Sequence, residues 1–168
     1  GSEMCIRDRE MSALQSVPRN DRIQLAPMME EILTDLAPLA EKNGITLTCD
    51  GDGAMTGSDG LLYRLLFNLT ENAIKYNHPG GTVRLTVQEE AARLVIRVSD
   101  TGCGIPESYR ESIFQPFFRV DKSRSREYGG VGLGLSLVWA IAELHGGSVC
   151  VEDSSEAGTT IAVQLPVQ

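Results

Sequence analysis

Long apolar runs are missing from this 168-residue chain. None approaches the ~18 residues of a membrane-spanning helix, and no signal-peptide pattern opens the sequence. A basic surface is missing too. Fifteen Lys and Arg against 23 Asp and Glu leave a formal net charge of −8, which argues against nucleic-acid binding, since a polyanion needs a positive field. The four cysteines, Cys5, Cys49, Cys103 and Cys150, lie far apart and form no C-x-x-C pair. Their spacing gives neither a zinc site nor a compact disulfide framework. Cys49 and Cys150 fall in apolar strand-like runs and are expected to be small buried thiols, which fits a reducing cytoplasm. Internal repeats and low-complexity segments are absent as well.

What is present is ordinary in bulk. An apolar content of 42% and a charged content of 23% suit one soluble domain with a real core. Gly1 and Ser2 read as a tag remnant, and residues 1–19 as a tail or linker without clear periodicity. "LAPMMEEILTDLAPLAEKNG" predicts a helix with Pro27 in its first turn and Gly44 as its stop; Pro38 is expected to kink or end it. "ITLTCD" alternates as a strand. "SDGLLYRLLFNLTENAIKY" predicts a second helix, capped by Ser58 or Asp59. "TVRLTVQ" and "RLVIRVSD", joined by "EEAA", predict a hairpin or meander. After a loop over 101–131, with one short helical stretch in "ESYRESIFQ", comes an apolar helix, "LGLSLVWAIAELHGG". The strand pair "SVCVED" and "TTIAVQLP" closes the chain. The order predicts an α/β fold of two layers, with a mixed, mostly antiparallel sheet and its helices on one face.

Four local patterns carry chemistry. In the second helix Asn68, Asn72 and Lys75 share a stripe beside the leucine face, with Glu71 at its margin. Two amide oxygens and an ammonium suit a hard cation carrying phosphates; an exposed polar edge is the alternative. In "VSDTGCGIP" a strand ends in Asp100, a carboxylate able to accept from an exocyclic amine, and Gly102 and Gly104 allow close backbone approach. Gly130, Gly132 and Gly134 precede the last helix, whose free N–H groups make an anion site; a structural hinge would need the same glycines. The spacing is neither that of a P-loop nor of a Rossmann turn. Between the glycine segments Arg119, Lys122, Arg124 and Arg126 gather positive charge on an acidic chain, enough to hold a polyphosphate. A solvated charge run looks the same in sequence. A loop of about 30 residues is long for a compact domain, and such loops are often functional lids.

Together, "NLTENAIKY", "DTGCGIP", "IFQPFFR" and "GGVGLGL" resemble the N, G1, F and G2 boxes of two-component histidine kinases, in order and in separation, over about residues 20–168. The resemblance implies the Bergerat-type ATP-binding sandwich shared with gyrase B and heat-shock chaperone ATPases. It implies Mg²⁺ on Asn72, with Asn68 as second ligand or positioner, phosphate binding by Lys75, and Tyr76 packed by the nucleotide. Asp100 would read adenine beside Gly102, Gly104 and Ile105. Phe114, Phe117 and Phe118 would pin a lid over residues 107–130 that orders on the phosphates, and Arg119 would reach the terminal phosphate, with Lys122 near it. Gly130, Val131, Gly132, Leu133, Gly134 and Leu135 would form the closing loop, and Thr159 would lie near the nucleotide. Asn68, Lys75 and Arg119 would carry catalysis.

The implied activity is transfer of the ATP γ-phosphate to a histidine, with ATP and Mg²⁺ as cofactors. His78 and His145 are the chain's two histidines, and neither stands in the family's phosphoacceptor context. The acceptor is therefore expected on a separate dimerising helical hairpin, whose last turn could lie within residues 1–19, leaving 20–168 as the catalytic domain. A response regulator is the implied further partner, nucleic acid is not one, and the isolated domain is expected to be monomeric. The parent protein is expected at the inner face of the cell membrane. A same-fold ATP hydrolase, an anti-sigma-type serine kinase and a non-catalytic nucleotide-binding regulatory module are the rivals. An acid at position 68 would favour the hydrolase, and degraded glycine loops the regulatory module; the sequence has neither.

Overall fold

Helix α1, Leu25–Asn43, forms because Leu25, Met28, Met29, Ile32, Leu36 and Ala40 recur on one buried face,. The computed structural model to which it belongs describes residues 21–115 and 135–167. Gly44, left-handed at φ +70°, ends the helix by giving its N–H to the Ala40 and Glu41 carbonyls,. The break expected at Pro38 does not end the helix, which runs on to Asn43. Pro38 faces solvent, where water can satisfy the carbonyl that loses its partner,. Leu36 and Ala40 meanwhile stay buried on either side of it.

Strands β1, Asp21–Gln24, and β3, Ala54–Gly57, pair antiparallel as a small separate sheet. The sequence reading did not foresee them, because four residues are too few to show a period. Between them in sequence lies β2, Thr46–Gly51. Helix α2, Asp59–Lys75, starts at Ser58, whose side chain accepts from the Leu61 N–H at 3.4 Å. Leu62, Leu65, Leu66, Leu69 and Ala73 are its buried stripe.

Strands β4, Thr82–Glu90, and β5, Arg93–Asp100, form the expected hairpin around Ala91 and Ala92, both at positive φ. Two short 3₁₀ turns, Glu107–Tyr109 and Ser112–Phe114, replace the single helical stretch expected there. Within the described residues, helix α3 spans Ser136–Leu144. Strands β6, Ser148–Ser155, and β7, Gly158–Pro166, complete a five-stranded sheet of order β2-β4-β5-β7-β6. Only β2 and β4 run parallel; the other neighbours are antiparallel.

Val83, Leu85, Ile96, Val98, Val163 and Leu165 are buried and meet the three helices, while the alternate positions form the opposite face, mostly polar but with Val95 and Ala162 buried on it,. There the Arg97 guanidinium holds Glu152 at 2.7 and 3.0 Å and Glu90 at 3.2 Å. This is the predicted two-layer α/β arrangement. The cysteine expectation fails at Cys150, which is exposed because it alternates with Val149 and Val151 on β6; Cys49 is half-buried and packs against the core on the same face of β2 as Leu47.

Candidate functional site

Strand register brings the key polar groups together. Asp100 ends β5 directly opposite Thr159 on β7. Its Oδ1 accepts the Gly102 N–H at 2.8 Å and the Thr159 N–H at 3.2 Å. Burial pushes the Asp100 carboxyl up from its ordinary value, and the two N–H donors offset only part of the rise,. No donor among the described residues reaches Oδ2. Asp100 lines a small hollow, part of it open to solvent.

The walls are mostly apolar. Helix α2 supplies Leu69, Asn72, Ala73 and Tyr76; β5 supplies Val98; the turn after it supplies Cys103, Gly104 and Ile105. Leu135, just before α3, and Thr159 and Ile161 of β7 close the other side.

Backbone crowding explains the glycines. A side chain on Gly102 would meet the Tyr76 carbonyl oxygen at 2.5 Å. Gly104 sits at φ +80°, and any Cβ there would overlap the Ser155 carbonyl. Gly158, at φ +141°, lies so close to the Asp100 carbonyl that a Cβ would overlap it. The "EAG" before Thr159 marks a turn in the sequence, but only the structure gives Gly158 its role against Asp100.

Other supports were also missed. Asn77 Nδ2 donates to the Thr82 carbonyl at 3.0 Å, and its Oδ1 accepts from Thr101 at 3.3 Å, tying the end of α2 to β4 and to the Asp100 turn. Ser154 Oγ accepts the Ile105 N–H at 2.7 Å. Arg110 donates to the Ser154 carbonyl at 2.8 Å and to the Ile105 carbonyl at 3.4 Å. A lone Ser near a strand end, or a lone Arg in a loop, carries no signal that could have singled it out.

The remaining residues separate clearly. Asn68 is half-buried one turn before Asn72 but does not line the hollow. Lys75 is exposed, 3.8 Å from Glu71. The Tyr76 phenol is pushed up by burial. Phe114 is buried elsewhere, 5.9 Å from Trp139 between ring centroids. Arg119, Lys122, Gly130, Val131, Gly132, Leu133 and Gly134, with Phe117 and Phe118, lie outside the described residues.

His145 is buried with both nitrogens engaged. Nε2 accepts the Ser58 N–H at 3.0 Å, so Nδ1 carries the proton that goes to the Ile141 carbonyl at 2.8 Å. It ties the end of α3 to the cap of α2. Among the described residues no three His, Cys, Asp or Glu gather as a metal site, and no helix is long and apolar enough to cross a membrane.

Residues 57–168 match the family described as histidine kinase-, DNA gyrase B- and HSP90-like ATPases. The chain is 47% identical over 107 residues to the circadian input-output histidine kinase CikA of Synechococcus elongatus, covering 64% of this chain and 14% of that protein. It is 37% identical to the sensor histidine kinase RppB of Synechocystis, covering 85% of this chain and 32% of that one. The chain thus spans less than half the length of these relatives. Among solved structures, the catalytic domain of the histidine kinase ThkA superposes with a TM-score of 0.78 at 25% identity, covering 89% of this chain and 97% of that one. The fold, the apolar hollow under Asp100 and these likenesses agree: the chain belongs to the histidine kinase-, DNA gyrase B- and HSP90-like ATPase family, as the catalytic ATP-binding domain of a histidine kinase.

Proposed function

We propose that this domain binds Mg-ATP in the hollow under Asp100 and presents the γ-phosphate to a histidine on a separate helical domain of the same parent protein. A response regulator would then take the phosphoryl group, and the parent would work at the inner face of the cell membrane. One observation carries the nucleotide's orientation: a half-buried carboxylate with Oδ1 held by two backbone donors and Oδ2 without a donor among the described residues, in a mostly apolar hollow. An amine that donates to Oδ2 satisfies it, and the adenine amino group is such a donor. Tyr76 and Ile105 then offer apolar contact to the base.

Asn72 points the same way. It lines the α2 side of the same hollow as Asp100, which supports a role beside the nucleotide. Amide oxygens at 72 and 68 suit a hard cation, but with no carboxylate cluster among the described residues they leave most of its shell to phosphate and water,. The site therefore fits Mg²⁺ only together with a polyphosphate. Bound Mg²⁺ would supply charge neutralisation at the phosphate oxygens. Lys75, held by Glu71 through a weak exposed pair,, is free to swing to the phosphates, and we assign Arg119 to the terminal one on its place in the sequence. Asn68 orients rather than abstracts, because an amide cannot take up a proton at neutral pH. Water is then a weak competitor for the phosphoryl group.

A labelled-ATP assay tests this with the domain alone, the domain plus the parent's histidine-bearing hairpin, and the hairpin alone. Label on the hairpin only in the mixture is expected. Brisk phosphate release by the domain alone would mean a hydrolase, and no label with nucleotide bound would mean a regulatory module.

A further inference from the structure

We infer, on the nucleotide function proposed above, that Ser154 is a positioning residue that sets the hydrogen-bonding character of the hollow beside Asp100. Ser154 is buried just after the β-bulge between Val151 and Asp153. Its Oγ accepts the Ile105 N–H at 2.7 Å and lies 2.8 Å from Thr159 Oγ1. Which hydroxyl donates in that second contact follows from counting. A hydroxyl has one proton and two lone pairs. Among the described residues the Ser154 proton has one acceptor in reach, Thr159 Oγ1. Thr159 lines the hollow, so its own proton has somewhere else to go. A buried hydroxyl proton left unpaired is costly. The chain of donors therefore runs from the Ile105 N–H to Ser154, from Ser154 to Thr159, and from Thr159 into the hollow.

The consequence is a matched pair of groups. Asp100 Oδ2 is an acceptor; the Thr159 hydroxyl, on the strand position opposite, is a donor. Adenine presents the complement, an amino group flanked by two ring nitrogens, N1 and N7, that accept. Guanine presents a carbonyl oxygen in place of the amino group. Arg110 braces the relay by donating to the carbonyls of both Ser154 and Ile105. Without the Ser154 hydroxyl, Thr159 loses the donor that orients it, and the Ile105 N–H loses its acceptor.

Calorimetry with ATP, 1-deaza-ATP and 7-deaza-ATP tests this on the wild-type domain and on Ser154→Ala, Ser154→Thr and Thr159→Val. In the wild type one of the two analogues should bind about twofold to tenfold more weakly than ATP, the effect of one neutral hydrogen bond. That factor should disappear in Thr159→Val, shrink in Ser154→Ala and return in Ser154→Thr. A merely structural serine would lower all three affinities alike and leave their ratios untouched. Equal affinities of all three nucleotides in the wild type, or an undiminished ratio in Ser154→Ala, would overturn the assignment. Should Ser154→Ala fail to fold, an undiminished ratio in Thr159→Val, which keeps the Ser154–Ile105 bond, overturns it equally. A wild type that binds no nucleotide at all would instead sink the nucleotide function itself.

Discussion

Replacing Asp100 by Asn separates recognition from stability more cleanly than any other single change here. The side chains have the same shape. The amide oxygen of an Asn can keep both backbone donors, Gly102 and Thr159, that now bond Oδ1. The NH₂ then takes the place of Oδ2 and faces the hollow, so an acceptor becomes a donor opposite the amine it should receive. A hydrogen bond to a charged group contributes about 1.5–3 kcal/mol, so ATP affinity should fall by about 10- to 150-fold. From a micromolar starting point, about −8 kcal/mol, the variant would bind in the range of tens to hundreds of micromolar.

Stability should move the other way. The Asp100 carboxyl is pushed up in the folded state, with burial the largest cause. A raised folded pKa means that the native state prefers the protonated acid. Its favourable contribution is present below the unfolded pKa and is lost as pH rises through the folded one, leaving a cost at neutral pH. The neutral amide avoids that cost. Thermal melting should therefore show Asp100→Asn at least as stable as wild type at pH 7, with the difference narrowing as pH falls through the carboxylate range. An unchanged ATP affinity, or a neutral-pH loss of stability as large as the loss of affinity, would refute the reasoning.

Asn72→Ala should weaken ATP binding in the presence of Mg²⁺ and change it little in EDTA; equal losses in both titrations would remove the metal role. Gly158→Ala should destabilise the domain by about 1–3 kcal/mol from backbone strain alone, and by more once the overlap with the Asp100 carbonyl is counted, with nucleotide affinity falling as well; a denaturant melt and a titration read the two effects. His145→Ala removes the acceptor of the Ser58 N–H at the start of α2 and leaves a void. It should cost about 2–3 kcal/mol, a fall in Tm of about 4–12 °C for a chain this size, and a smaller fall would mean that water replaces the imidazole.

Legibility in the sequence followed the length of each element's pattern. Helix α2 was readable because its apolar stripe repeats over about three turns, and the β4–β5 hairpin because two apolar-rich strands of nine and eight residues flank a short turn. The pair β1 and β3 was not, since four residues hold no period and their pairing joins positions thirty to thirty-six apart. Of the kink or end expected at Pro38, the end does not occur, because the packing of Leu36 and Ala40 carries the helix past it. Asn72 drew notice as an amide inside a helix, Asp100, Gly102 and Gly104 as a carboxylate and two glycines where a strand ends, and Ile105 only through the family resemblance. Ser154, Asn77 and Arg110 did not, because their meaning comes entirely from partners distant in the chain.

That last contrast bears on how the hollow is built. The carboxylate that would read the base sits on β5, yet one of the donors that orient it comes from Thr159, fifty-nine residues later. The Ile105 wall is fixed by Ser154, forty-nine residues later. Gly158 and Gly104 let the β6–β7 turn press against the backbone of Asp100 and of the loop behind it, contacts that no larger residue permits. The motif around Asp100 is therefore complete as a sequence but not as a site. Until the β6–β7 hairpin docks, Oδ1 lacks its Thr159 donor, the Ile105 amide lacks its acceptor and the hollow lacks a wall. Substitutions in β6 and β7 that leave every motif residue intact can for that reason weaken nucleotide binding as much as changes in the motifs themselves.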